Sequence, residues 1–484
     1  MEQIQTMSAD LEFQKPIPPK QSYTGWQAAL AEFFQFDFYR TNFRTETLAG
    51  ITTFMTMGYI LVVNPIILSN AIFLQQPGDL FSQLAVATAV ASAVGTFCMA
   101  ILANYPFGLA PGMGTNAFFA FSVVIGLKID WRLALSCVFV QGLIFILLTL
   151  IDVRKLLIAA IPKSLKHATA GGIGLFIAYI GMSGDVVNGG AGLIVANPAT
   201  KTAFGSLAEP NTLLAVAGLA ITAGLVVRRV KGALLFGILG TAIWAWLFKV
   251  SPPPQGFFAL PELPKDIFGQ AFLGISNLNS ENFIDWIAVL FVFLFVDIFD
   301  TIGTLTGVGM RAGYIGPSGE LPRANKALMA DAIGTTISPI FGTSSVTTYI
   351  ESVAGIAEGG RTGFTALVVA GLFALSVFFI PVFKAIPAFA TTPTLVIVGA
   401  MMLAEVKEIP WDDMSEVIPA FLTIFLTPLT YSIAEGLSIG FIAYPIVKTC
   451  QGRAKEVSGG TWIVAGIFVI RFIFMSLRFH HSAA

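Results

Sequence analysis

Three carboxylates stand where carboxylates are costly. Asp297 and Asp300 lie in the apolar run Phe291-Val-Phe-Leu-Phe-Val-Asp-Ile-Phe-Asp-Thr-Ile-Gly-Thr304, and Glu351 lies in Val346-Thr-Thr-Tyr-Ile-Glu-Ser-Val353. A carboxylate at the centre of a membrane helix costs roughly 2.5–3.5 kcal/mol on insertion scales. A chain retains one there when it faces a cavity, binds a ligand or carries a proton. Asp297, Asp300, Thr301 and Thr304 recur at i, i+3, i+4 and i+7, so they share one helix face, which should look into the protein. Two carboxylates at one cavity suit a ligand with several N–H donors, and one of them can exchange a proton. Asp300 and Glu351 are the first candidates for both roles. Asp297 and Asp331 are further proton-coupling candidates, with Asp331 weighted toward a structural part.

The backbone that must position these groups is broken twice. Phe107-Gly-Leu-Ala-Pro-Gly-Met-Gly-Thr-Asn-Ala-Phe-Phe119 holds Gly108, Pro111, Gly112 and Gly114, too many breakers for a regular helix. Gly342-Thr-Ser-Ser-Val-Thr-Thr-Tyr349 is rich in β-branched and hydroxyl residues and reads as extended. Irregular backbone at membrane depth persists only where protein or a cavity satisfies it. A matched pair of such segments points to a binding site. The freed amides and the following half-helix N-termini would offer donors to a polar ligand. Thr115, Asn116, Phe118, Thr304, Tyr349 and Ser352 are the accompanying contact candidates, with Phe118 and Tyr349 able to stack on a planar ligand.

Composition sets the frame. The 484 residues are 55% hydrophobic and 11% charged, against about 25% charged in a soluble protein. Net charge is −1, which gives no reason to expect a nucleic-acid partner. Cys98, Cys137 and Cys450 are odd in number and scattered, so they build no disulfide framework. The spacing shows no metal-binding, nucleotide-binding or nucleophile-elbow motif. Neither a metal nor a cofactor is expected.

A crossing needs about 20 apolar residues. Segments at 47–69, 83–103, 107–126, 132–151, 168–187, 211–227, 232–250, 284–308, 325–340, 342–356, 362–382, 388–404, 415–431 and 433–449 are numbered here as spans 1 to 14. With both termini in the cytoplasm, nineteen basic residues fall on inside segments and six on outside ones, as the positive-inside rule requires. Residues 1–43 read as a cytoplasmic tail, with an amphipathic surface helix over 27–40. The tail 451–484 carries an apolar stretch at 461–478 with Arg471 in its middle, read as a peripheral helix.

The chain also repeats itself. Ala93-Val-Gly-Thr96 recurs as Ala332-Ile-Gly-Thr335, Phe107-Gly108 as Phe341-Gly342, and Ala160-Ile-Pro162 as Ala385-Ile-Pro387, at offsets of 239, 234 and 225 residues. This gives a first repeat over 44–250, a Pro-rich loop over 251–282 and a second repeat over 283–450. Seven spans per repeat is odd, so the halves would be inverted in the membrane, a frequent transporter plan.

At these motifs the chain resembles the AzgA-like purine permeases, relatives of the nucleobase–ascorbate transporters. The resemblance is carried by Phe43-Arg-Thr-Glu-Thr-Leu-Ala-Gly-Ile-Thr-Thr-Phe54, Tyr59 to Pro65, Ala110-Pro-Gly-Met-Gly-Thr-Asn-Ala-Phe-Phe-Ala-Phe121, Ile161 to Gly172, Phe295-Val-Asp-Ile-Phe-Asp-Thr301 and Thr343 to Ser352. It implies an all-α polytopic membrane protein with the uracil-permease-like fold: about fourteen transmembrane segments in a 7+7 inverted repeat, with short extended stretches in spans 3 and 10. It also implies a core domain of spans 1–4 and 8–11 beside a gate domain of spans 5–7 and 12–14. The ligand would lie between spans 3, 8 and 10.

The implied activity is import of adenine, guanine or hypoxanthine by proton symport across the cell membrane. Asp300 matches the eighth-span acid and Glu351 the tenth-span acid. Some wider relatives place a His four residues after the eighth-span acid; here Thr304 stands there, so that role does not carry over. The preferred purine and the oligomeric state, a homodimer included, stay open. So do three rivals: an anion transporter of the sulfate-permease class, a pyrimidine or xanthine permease, and a cation channel. An intramembrane enzyme lacks the nucleophile–base pair or metal ligands it would need.

Overall fold

The structure is a computed structural model that describes residues 23–151, 162–184, 186, 189–279, 282–315 and 321–482. Most of the tail 1–43, the Ala160-Ile161 part of the repeat, and the side chains of Arg471 and Arg478 lie outside the described residues. Helix covers each numbered span. Span 1 is Phe43–Met57 and Ile60–Leu68, and span 2 is Phe81–Cys98 continued by a wider turn, Met99–Ala103. Span 4 is Trp131–Leu150, span 5 Lys163–Met182, span 6 Pro210–Val227 and span 7 Ala233–Leu247. Span 8 is Phe283–Arg311, span 9 Ala324–Phe341, and span 11 runs from Gly363 to Lys384. Span 12 runs Ala388–Glu408, span 13 is Met414–Leu429 and span 14 Ile433–Cys450. Among the described residues, seven helical stretches are long and apolar enough to cross a membrane: spans 1, 2, 4, 6, 11, 12 and 14.

Spans 3 and 10 are broken, as their composition dictates. Span 3 opens with strand β1 (Leu109–Pro111), turns helical at Met113–Ala117 and widens over Phe118–Gly126. A hairpin between spans 5 and 6 supplies β2 (Ile194–Asn197) and β3 (Lys201–Phe204), and span 10 opens with β4 (Val346–Thr348) before the helix Ser352–Ala357. Pro111 cannot continue a ladder or a helix interior, so β1 is short and has one partner. That partner is β4 of the other repeat, antiparallel, with Leu109 opposite Thr348, Ala110 opposite Thr347 and Pro111 opposite Val346. Gly342 ends span 9 in the left-handed region at φ 91, the backbone choice glycine makes cheap. A Cβ there would lie 2.6 Å from that of Ile267.

The repeats meet through equivalent residues. Thr96 donates its hydroxyl to the Leu109 carbonyl of β1 at 2.9 Å, and Thr335, its repeat counterpart, donates to the Val346 carbonyl of β4 at 2.7 Å. Gly95 and Gly334, the residues before them, touch: a Cβ built on Gly334 would sit 3.3 Å from the Gly95 Cα. The 225-residue offset relates Gly174 of span 5 to Gly399 of span 12, and these also touch. A Cβ on either would lie 2.6 or 2.3 Å from the other's carbonyl oxygen. Only backbone fits at the second crossing, and at the first a side chain on Gly334 would press on Val346 at 3.2 Å.

Packing gathers spans 1–4 and 8–11 around the first glycine pair, and spans 5–7 and 12–14 around the second. Within the first group, Glu46 of span 1 caps span 11. Its carboxylate accepts from the Thr362 and Thr365 hydroxyls at 2.9 and 2.6 Å and from the Arg361 amide at 3.0 Å. This seats a negative charge at a helix N-terminus.

One expectation changes. Instead of one surface helix over 27–40 there are two short helices, Trp26–Phe33 and Phe36–Tyr39, broken at Gln35 with φ 57. The break turns Phe34 and Phe36 inward onto Phe364 of span 11, at ring distances of 5.7 and 5.8 Å. The apolar gain of burying two phenylalanines outweighs a continuous helix. The C-terminal stretch is one helix, Gly459–Ser482, whose buried Phe468 packs on Phe291 of span 8 and Phe441 of span 14.

Candidate functional site

The β1–β4 crossing is extended by two more backbone bonds. Gly112 N–H donates to the Ser345 carbonyl at 2.9 Å, and Tyr349 N–H to the Gly108 carbonyl at 3.0 Å. The broken segments thereby satisfy each other, which makes irregular backbone tolerable inside a membrane protein. Spans 3, 8 and 10 converge at Gly112. A Cβ there would lie 2.9 Å from Thr115 Oγ1, 3.0 Å from Thr347 Cγ2 and 3.6 Å from Asp300 Oδ2.

Glu351 sits just before the short helix of span 10. Its Oε1 accepts the Tyr59 hydroxyl at 2.8 Å, a charge-assisted bond from span 1. Asp300 and Glu351 are near enough to interact electrostatically. Both keep accessible surface, although Thr301, Tyr349 and Ser352 beside them are buried.

Asp300, Gly303, Thr304, Gly307, Met310 and Arg311 of span 8 all keep accessible surface, and they follow one another along an i, i+3, i+4, i+7 stripe. Lys166 of span 5 approaches this stripe, 4.0 Å from where a Gly303 Cβ would stand. The stripe therefore faces the second helix group. In the other direction the same face is closed: Val289, Phe293, Val296 and Asp297 are buried. Tyr431, between spans 13 and 14, seals that end. Its ring lies 5.7 Å from Phe121, 5.3 Å from Phe176 and 5.7 Å from Tyr179, and its carbonyl accepts the Ser122 hydroxyl at 3.5 Å.

Other expected contacts are engaged within the protein. Thr115 donates to the Gly112 carbonyl at 2.9 Å, Ser352 accepts the Gly108 amide at 3.0 Å and Tyr349 donates to the Pro111 carbonyl at 2.5 Å. The Phe118 ring packs edge-on against Phe293 at 4.7 Å. These four hold the broken backbone in shape. Asn116 accepts the Ser344 hydroxyl while its Nδ2, fully buried, has no partner.

Behind the strands, Asp331 accepts three bonds: Thr301 hydroxyl at 2.8 Å, Thr348 amide at 2.9 Å and Thr348 hydroxyl at 3.0 Å. Asp297 accepts the Gln141 amide at 2.7 Å, and the Thr335 hydroxyl, given to the Val346 carbonyl, lies 3.4 Å from the same oxygen. Tyr59 and Gln141 were not among the expected site residues. Their signal in the sequence was faint: one phenol and one amide among the apolar and hydroxyl residues of their spans.

A helical membrane protein whose two broken segments pair across an internal repeat, with carboxylates at the crossing, is a permease and not an enzyme. Comparison with known families agrees: the model described as Permease family matches residues 44–436. The chain belongs to this family, and the resemblance read from the motifs is borne out. Among curated relatives, the guanine/hypoxanthine permease PbuG of Bacillus subtilis is 44% identical over 92% of this chain and 99% of its own length. The adenine permease AdeQ of Escherichia coli is 38% identical over 92% and 96%.

Solved structures share the fold at low identity. The transmembrane domain of the cyanobacterial bicarbonate transporter BicA matches with TM-score 0.56 and 18% identity, covering 81% of this chain and 98% of that one. The murine anion transporter Slc26a9 in its inward-facing state gives 0.56 and 12%, covering 91% and 74%. The protein is thus a multi-pass membrane permease with the uracil-permease-like fold.

Proposed function

We propose that this permease imports purine nucleobases (adenine, guanine or hypoxanthine) by proton symport across the cell membrane, with both termini in the cytoplasm. The observation that carries the reading is the pair Asp300 and Glu351, still accessible, at the meeting of spans 3, 8 and 10. Purines present several N–H donors on a flat ring, and two carboxylate acceptors complement them. The orphan amide of Asn116 offers the opposite polarity to a ring nitrogen or carbonyl. The names of the full-length relatives supply the ligand class. An anion is disfavoured by the same two carboxylates, despite the anion-transporting fold neighbours.

In this reading spans 1–4 and 8–11 form a core that carries the ligand, and spans 5–7 and 12–14 form the gate. The open stripe of span 8 ends at Arg311, on the side the basic residues assign to the cytoplasm, so this conformation is inward-open. The test is uptake of radiolabelled adenine, guanine, hypoxanthine and uracil into a purine-transport-deficient strain, with and without a protonophore. Saturable purine uptake that collapses with the proton gradient is expected. Asp300→Asn and Glu351→Gln are each expected to abolish uptake with membrane insertion intact. Normal uptake by both variants would sink the site assignment.

A further inference from the structure

Between spans 7 and 8 the chain reads Pro252-Pro-Pro-Gln-Gly-Phe-Phe-Ala-Leu-Pro-Glu-Leu-Pro264, with one charge, Glu262, and five prolines. It forms neither helix nor strand. Phe257 and Phe258 are each 70% exposed, Leu263 73% and Leu260 89%. Four large apolar side chains standing out together mark a contact surface. The segment is held firmly all the same. Ala259 N–H donates to the Phe378 carbonyl of span 11 at 3.1 Å, and the Phe258 ring lies 4.7 Å from that of Phe379. Asp266 accepts the Gln83 side-chain amide of span 2 at 2.5 Å and donates its own backbone amide to the Gln83 side-chain oxygen at 3.0 Å. Gly269 N–H donates to the Ile340 carbonyl of span 9 at 2.7 Å. The short helix Gln270–Ser276 then lies against span 4, where the Arg132 guanidinium donates to Gln270 at 2.8 Å and Phe272 meets Phe139 at 5.1 Å. Spans 2, 4, 9 and 11 all belong to the first helix group.

Three observations say what covers the exposed edge. The first is continuity: Phe258 and Leu260 share one apolar groove with Leu375, Phe378 and Phe379 of span 11. Span 11 is long and apolar enough to cross a membrane, so its exposed wall meets lipid. The second is depth. The segment is fastened near the starts of spans 2 and 4 and near the ends of spans 9 and 11, which all lie on the membrane face opposite the N-terminus. The third is chemistry. Five prolines have no N–H to leave unpaired where water is scarce. Lys249 and Lys265, both exposed, bracket the run as cations at headgroup level. We propose that residues 257–263 are a membrane-dipping edge, with Phe257, Phe258, Leu260 and Leu263 inserted at the headgroup–acyl boundary of the leaflet opposite the N-terminus. The partner of this surface is lipid. The first helix group therefore carries its own lipid anchor, and any displacement of that group drags the edge through the same leaflet.

The experiment uses full-length protein in vesicles of phosphatidylethanolamine and phosphatidylglycerol, with Cys98, Cys137 and Cys450 replaced. Phe258→Cys, Leu260→Cys and Leu263→Cys, made singly, each carry a nitroxide. Its relaxation is compared in oxygen, which partitions into lipid, and in a water-soluble nickel chelate. Leu375→Cys, exposed on span 11, is the lipid reference, and Thr202→Cys, exposed on β3, is the water reference. The three labels should resemble the lipid reference and read about 5–10 Å into the headgroup–acyl boundary. All three side chains point outward, so protein yield should hold; a label that lowers it at one position leaves the other two to decide. Accessibility like that of the water reference would overturn the proposal. Exclusion of both reagents would also overturn it, and spin–spin broadening lost on dilution with unlabelled protein would then name a second copy of the chain as the cover.

Discussion

Glu351 is steered by a single phenol, and that makes it sensitive to one oxygen atom. A hydrogen bond to a charged group is worth about 1.5–3 kcal/mol, and 1.4 kcal/mol is about tenfold in affinity. Tyr59→Phe keeps the ring, which lies 6.4 Å from that of Tyr349, and removes only the donor to Glu351. Purine affinity should fall about tenfold with unchanged protein yield, read by equilibrium binding; unchanged affinity would mean that other contacts orient the carboxylate. The acids themselves were legible in the sequence, because a carboxylate inside an apolar run has few reasons to exist. Tyr59 was not, since an aromatic in a membrane span ordinarily packs. Thr115, Tyr349 and Ser352 show the converse limit. Their residue types fit a polar ligand, yet their hydroxyls are needed by backbone that Pro111 and Gly112 leave irregular, a demand visible only once β1 and β4 are paired.

At the scale of helices, each packing group turns on a glycine crossing between repeat-equivalent positions. Gly399→Val would place its Cβ 2.3 Å from the Gly174 carbonyl oxygen, well inside contact distance, so spans 5 and 12 must separate. Overpacking of this kind costs about 1–3 kcal/mol or more. The variant should lower the thermal transition of the purified protein and its yield of monodisperse material; an unchanged transition would show that the crossing tolerates a side chain. The repeat was readable from three short recurring motifs. That the related glycines touch each other was not, because a sequence offset says which residues correspond and nothing about their distance. The broken spans were readable from proline and glycine. The break at Gln35 was not, because its cause is Phe364, more than three hundred residues away along the chain.

At the scale of the whole molecule, the proposed alternating access requires the two groups to move past one another, and Tyr431 lies where they touch. Ser122 of span 3 accepts the Ile433 amide at 3.4 Å, a bond between the groups. In a background with Cys98, Cys137 and Cys450 replaced, Ser122→Cys with Ile433→Cys, joined by a short bifunctional thiol reagent, should arrest purine uptake. Reductive cleavage of the linker should restore it; uptake that survives cross-linking would place the moving boundary elsewhere. Many membrane crossings were available from composition and hydropathy, whereas the fold and the division into groups came only from the family resemblance, because hydropathy says nothing about which spans pack together.

The β1–β4 pairing has a consequence for how the protein is made. The ribosome delivers β1 long before β4, so the first half enters the bilayer with the Gly112 amide and the Gly108 carbonyl lacking their mates, Ser345 and Tyr349. Hydrocarbon leaves such groups no substitute. During synthesis the nascent first half must either hold span 3 at the lipid–water boundary or lean on the insertion machinery until β4 arrives. A chain truncated after the first repeat would therefore be a quality-control substrate, recognised by the one strand it could not pair.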